Sequence, residues 1–242
     1  MAWIGAVAAV LLAFSLFWYA RTALVVFLLS SLDHHDGRYI PYALEKLRST
    51  DPEIRQAAIR GLGRIGPDAS SALPDLLIAL HDPSSSIAAE AAWALGKIQS
   101  PDRHVIDELT SALDHENGEV RRYAAYALSL YGRQASSAVP ALTNRLRDEH
   151  MRYMAARALG EMGSDANGAI PQMTKLLSSP NWADRAETAV ALSKLSPLPA
   201  VTVTAMHSLL NDPREEVQAI ARRALPPISI SGQPAQTATP TP

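Results

Sequence analysis

The chain has no cysteine, so histidine, carboxylate and arginine side chains carry most of its reactive potential. Thiol nucleophiles, thiolate-bound zinc and disulfides are excluded, while the cellular compartment is left open. The seven histidines are His34, His35, His81, His104, His115, His150 and His207. Only His34 and His35 adjoin, and with Asp33 and Asp36 they form a cluster of metal-ligand types. Such a cluster in a short polar stretch is expected to be solvated. The other five fall singly, mostly where turns are expected. Carboxylates are plentiful but return at a regular interval, as helix caps and ion-pair partners do. No G-x-x-x-x-G-K, H-E-x-x-H or G-x-S-x-G pattern occurs. The expectation is a protein that is not an enzyme, with no catalytic residue, no metal and no cofactor.

The regular interval belongs to the leucines. One set, Leu47, Leu80, Leu113, Leu146, Leu177 and Leu210, is spaced by 33, 33, 33, 31 and 33 residues. A second set, Leu62, Leu95, Leu128, Leu159, Leu192 and Leu225, is spaced by 33, 33, 31, 33 and 33. Two registers with one period predict about six copies of a two-helix unit. The first helix opens with Pro41, Pro74, Pro140 or Pro171 in four copies, at a turn where a missing N–H costs little. The second carries small residues, as in Ala91-Ala92-Trp93-Ala94-Leu95-Gly96 and Ala155-Ala156-Arg157-Ala158-Leu159-Gly160, which lets neighbouring helices approach. Gly66, Gly132 and Gly163, four after the key leucine, suit a left-handed helix stop. Asp51, Asn117, Asp148 and Asn181, eleven before it, suit caps.

These segments resemble the HEAT repeat, in particular the short variety of phycobilin lyase subunits and bacterial scaffold proteins. The resemblance covers roughly 38–229. It implies an all-α solenoid whose units stack into one continuous core, with the second helices on the concave side. It also implies a ladder in which an acidic or amide residue between the helices pairs with an arginine early in the second helix. Arg55, Arg121, Arg152 and Arg185 hold that arginine position, whereas Ala88 and Gln218 interrupt it.

Residues 2–20 contain no charge and, as a helix, would be about 28 Å long, enough for a hydrocarbon core. Trp3 and Trp18-Tyr19 stand near its ends, where amphipathic rings favour headgroups. The expected organisation is a transmembrane or signal-anchor helix at 1–32, a polar linker at 33–37, the solenoid at 38–229, and a disordered Pro/Thr-rich tail at 230–242. A cleaved signal peptide is the rival, but no Lys or Arg precedes the apolar run and no A-x-A site follows it cleanly. Arg21, Arg38, Lys46 and Arg48 all lie C-terminal to the run, which places the solenoid in the cytoplasm of a single-pass membrane protein, a periplasmic or lumenal placement being the alternative. With Arg21 set aside, 21 basic side chains face 24 acidic ones. That balance argues against nucleic acid as a partner.

What remains is a surface. Positions −9, −6, −2 and +2 about each second-helix leucine share a helical face. In the middle units they gather Trp93, Tyr126 and Tyr153 among Arg122, Arg157 and Lys97, with Arg60 one unit earlier. Aromatic and arginine side chains dominate interface hot spots, so these seven are the candidate partner-binding residues. The alternative is that the rings only cover the neighbouring repeat. The function expected is a membrane-anchored, non-enzymatic protein-binding scaffold, with an accessory subunit of a membrane complex as a further reading. The resemblance alone implies a second one, bilin lyase-like chromophore handling.

Overall fold

A computed structural model describes residues 20, 22–32 and 37–225. The uncharged run at 2–19, Arg21, the 33–36 cluster and the tail from 226 lie outside them. Helix α1 takes residues 22–30, and six helix pairs follow. The pairs are α2 (Ile40–Leu47) with α3 (Pro52–Ile65), α4 (Leu73–Ala79) with α5 (Ser85–Ile98), and α6 (Arg103–Ser111) with α7 (Gly118–Tyr131). Then come α8 (Val139–Arg145) with α9 (Arg152–Met162), α10 (Ile170–Leu176) with α11 (Trp182–Ser193), and α12 (Ala200–Ser208) with α13 (Glu215–Ala224). Among the described residues there is no strand, and no helix is long and apolar enough to cross a membrane.

Both leucine sets lie in one continuous core. Leu62, Leu95, Leu128, Leu159 and Leu192 are fully buried, and all of the first set but Leu210 are buried. In the last pair Leu209, one residue early, is buried while Leu210 is half-buried. The two-residue contraction falls where α9 begins: α9 has 11 residues where α3, α5 and α7 have 14.

Pro41, Pro74, Pro140 and Pro171 all stand in the first turn of their helices. Asp51, Asn117 and Asn181 accept the N–H two residues on, at 2.9, 2.8 and 3.0 Å. Asp148 does the same for His150 at 3.0 Å, but in a turn ahead of α9 rather than at its N-cap. Gly66, Gly132 and Gly163 end their helices at φ of 76°, 53° and 62°, with ψ between −129° and −142°. That is a glycine-only region, not the left-handed α conformation expected. Gln99, at the equivalent place, does adopt it, and its Nε2 donates to the Leu130 carbonyl at 2.6 Å.

Successive second helices meet almost backbone to backbone. A Cβ on Gly96 would stand 2.6 Å from the Ala127 Cα, and one on Gly160 2.7 Å from the Ala191 Cα. Successive first helices touch much less. A layer packed this tightly beside a looser one must curve with the tight layer inside, so α3, α5, α7, α9, α11 and α13 line the concave side.

The arginines form the ladder, and each rung joins one repeat to the next. Arg55 reaches Asp82 at 3.5 Å, Arg121 reaches Asp148 at 3.6 Å, and Arg185 reaches Asp212 at 2.6 Å. Arg55, Arg121 and Arg185 also donate backwards to carbonyls six residues earlier, those of Ser49, His115 and Ser179. Gln218 keeps only this second role, donating to the Asp212 carbonyl at 2.8 Å.

Before the first repeat, α1 joins the same core. Leu29 is fully buried, Leu32 is 7% exposed, and a Cβ on Gly61 would lie 2.8 Å from the Leu29 carbonyl oxygen. Residues ahead of the expected linker thus pack on the repeat that follows it.

Candidate functional site

Helices α5, α7 and α9 each turn one residue of the −2 column to the concave side: Trp93, Tyr126 and Arg157. Alanines and leucines hold the opposite faces in the core, which fixes the rotation of each helix and so the direction of these side chains. Trp93, Arg122, Tyr123, Tyr126, Tyr153 and Met154 line a cleft of about 310 Å³. The Arg157 guanidinium lies over the Tyr126 ring, 5.8 Å from its centroid. Arg122 is held by Glu119 at 3.3 Å, one turn back on the same helix.

Of the seven expected residues, the cleft unites Trp93, Tyr126, Tyr153 and Arg122, with Arg157 at its edge through Tyr126. Arg60 lies a repeat away, its Nε 3.6 Å from Glu90. Lys97 is half-buried one turn beyond Trp93 and does not line the cleft. Trp93 also serves the fold. A Cβ on Gly63 would come within 2.4 Å of its ring, so the indole fills the notch left by the glycine of the preceding repeat. Covering the neighbour and lining a cleft are both true of this side chain.

Three concave residues escaped the sequence reading: Glu90, Tyr123 and Met154. All stand five before their leucine, a column between −9 and −2 at helical spacing that the face should have included. Glu90 is the electrostatic oddity of the face. Burial pushes its carboxyl above the ordinary value, Arg60 and then Arg64 pull it back, and Glu119 adds a smaller push upward. Arg60 Nε and Arg64 Nε and Nη2 are buried without a hydrogen-bond acceptor. Arg60 Nε faces Glu90 at 3.6 Å, beyond hydrogen-bond length, and Arg60, Arg64 and Glu90 form a partly buried charge cluster.

No group of three histidines or carboxylates among the described residues is placed to hold a metal ion. His81 and His104, expected to stand singly, both approach Glu108, at 2.9 and 4.0 Å on the outer layer.

The HEAT-repeat family pattern matches residues 40–114, 106–192 and 139–226, together most of the chain. The chain belongs to the HEAT-repeat family. No curated protein matches this HEAT-repeat chain. Among solved structures, an engineered protein is 27% identical over 77% of this chain and 94% of its own, with a TM-score of 0.58. The complex of CpcE and CpcF of phycocyanin lyase from Nostoc sp. PCC7120 is 26% identical, covering 75% of this chain and 74% of that one, at 0.61. A designed armadillo repeat protein in complex with the peptide (KR)4 is 22% identical over 76% and 97%, at 0.60, and shares the fold.

Proposed function

We propose that this HEAT-repeat protein is a non-enzymatic, membrane-tethered scaffold that holds a protein partner against its concave layer. The observation that carries the reading is the cleft between α5, α7 and α9. Half-exposed Trp93, Tyr126 and Tyr153 stand there beside Arg122, in a layer whose core-facing sides are mostly alanine and leucine. Rigid rings flanked by arginine give large contact area at low entropic cost. The guanidinium groups of Arg122 and exposed Arg157 at the cleft suit a partner offering carboxylates or backbone carbonyls. The designed armadillo protein with its bound peptide lends the reading support as a fold precedent only.

The membrane segment is residues 2–32, of which the uncharged run 2–20 is the single span, with the solenoid on the cytoplasmic side by the bias of flanking basic residues. Tethering confines the groove to two dimensions and raises its encounter rate with membrane-associated partners, including other subunits of a membrane complex. Because Trp93 also packs on Gly63, the test uses Tyr126→Ala with Tyr153→Ala instead. Affinity capture from solubilised native membranes should lose its specific partner with the double variant while unfolding is little changed. Retention of every partner would remove the cleft from the mechanism.

The likeness to the phycocyanin lyase complex favours a second reading, handling of a bilin chromophore. Incubation with a free bilin should then change its absorbance spectrum, and an unchanged spectrum rejects that role.

A further inference from the structure

Helix α1 is apolar on every side. Val25, Leu29 and Leu32 face the first repeat and take part in its core, with Leu29 carrying the contact with Gly61. Leu24, Phe27 and Leu28, spaced i, i+3, i+4 on the other side, are 59%, 68% and 45% exposed. A helix hydrophobic all round needs cover all round, and the solenoid supplies only half of it. The open half continues into a cavity of about 460 Å³ lined by Leu28, Leu29, Ser31, Leu32, Tyr39 and Tyr42. Around its mouth the chemistry turns amphipathic. Arg38 lies 5.0 Å from the Tyr39 ring centroid, and Lys46 lies 5.1 Å from that of Tyr42. Aliphatic side chains in front, tyrosines at their margin and cations behind is the order in which side chains meet a headgroup layer from the hydrocarbon side.

The geometry points to a lipid surface as the occupant of this face. The open side of α1, with Tyr39 and Tyr42 at its edge, seats the first repeat on the boundary between headgroups and hydrocarbon. This rests on the anchor reading, because the 19 uncharged residues 2–20 lead into α1. It goes further, since an anchor alone would leave the solenoid swinging on a tether. With α1 packed into the repeat core on one side and into lipid on the other, the solenoid emerges from the membrane in a set orientation.

The absence of cysteine makes the test direct. Single Phe27→Cys, Tyr39→Cys and Val201→Cys variants of the full chain carry a nitroxide label after reconstitution into phosphatidylcholine–phosphatidylglycerol vesicles. Val201, 70% exposed on α12, is the aqueous reference. Electron paramagnetic resonance then compares collision with oxygen, which concentrates in lipid, and with a water-soluble nickel chelate. The ratio at 27 and 39 should be several-fold above that at 201, and Leu24→Glu with Leu28→Glu should drop it at 39 while the protein still floats with the vesicles. If the protein floats but 27 and 39 read like 201, the seat is wrong and the anchor stands. Label at 27 shielded from both reagents means protein covers the face, which also overturns the seat. A chain that fails to float at all overturns anchor and seat together.

Discussion

At the scale of single residues, Asp184 shows how the ladder repairs itself. Eight before the key leucine the other repeats place Ile54, Ile87, Val120, Met151 and Val217, so the register asks for an apolar residue. Repeat five instead has a fully buried carboxylate, which takes Arg152 Nη1 at 3.2 Å and the Ser179 hydroxyl at 2.7 Å. Ser179 explains the exchange. It stands where Asp82 and Asp212 supply the loop acid in other rungs, and Asp184 provides the missing charge from the helix itself. Asp184→Val would restore the register yet leave Arg152, only 17% exposed, without its counter-ion. Removing one partner of a buried pair costs about 3 kcal/mol or more, whereas an apolar replacement of both is often neutral. Denaturant unfolding should show that loss for Asp184→Val and recovery of most of it in Arg152→Leu/Asp184→Val. A double variant as unstable as the sum of its parts would refute the rung.

At the scale of helices, the tight seam between second helices decides the curvature and can be tested through its glycines. Alanine is the better helix former by about 1 kcal/mol, so Gly→Ala within a helix should stabilise when space allows. At Gly96 there is none, because the new Cβ would meet the Ala127 backbone at 2.6 Å. Overpacking of this kind costs about 1–3 kcal/mol. Gly96→Ala should therefore lower the melting temperature, while Gly118→Ala, whose Cβ meets only the Arg121 side chain at 3.5 Å, should leave it level or raise it. Equal effects would mean the seam is slack. This layer was legible in advance: leucine periodicity and the alanine–glycine core gave both helices of each unit and their close approach. The docking of α1 was not. A long apolar run reads the same whether lipid or protein covers it, and only the contact of Leu29 with Gly61 shows that both faces need accounting. Nor could spacing reveal that the Trp93 ring fills the notch at Gly63, since that contact joins two repeats through a rotamer.

At the scale of the whole array, each repeat is held mainly by its neighbours, so stability should decline toward an end with weak rungs. The N-terminal end has α1 packed on it. At the C-terminal end α13 has only ten residues, Leu225 is half-buried, and among the described residues the Gln218 side chain bonds only the Asp212 carbonyl and Arg222. The rung between Arg185 and Asp212 is therefore the main latch on the last repeat. Their side chains are 12% and 4% exposed, and Arg185 Nε and Nη2 both donate to the carboxylate. The Arg185 hydrogen bond holds the Asp212 carboxyl below its ordinary 3.8, against a smaller upward push from burial, with the Arg214 backbone N–H assisting. A carboxyl depressed on folding stabilises fully above the unfolded value and loses that contribution as pH falls through the folded one. Amide exchange, corrected for intrinsic rate, should thus show α12 and α13 losing protection below about pH 4 while α5 and α7 keep theirs. Tyr131 belongs to that protected centre: burial pushes its hydroxyl up to about 12, and it donates to the Leu95 carbonyl at 3.3 Å. Asp212→Asn should give the acid pattern already at neutral pH and remove its pH dependence. Uniform loss of protection along the array would mean that the solenoid opens as one unit and that the last rung is no latch.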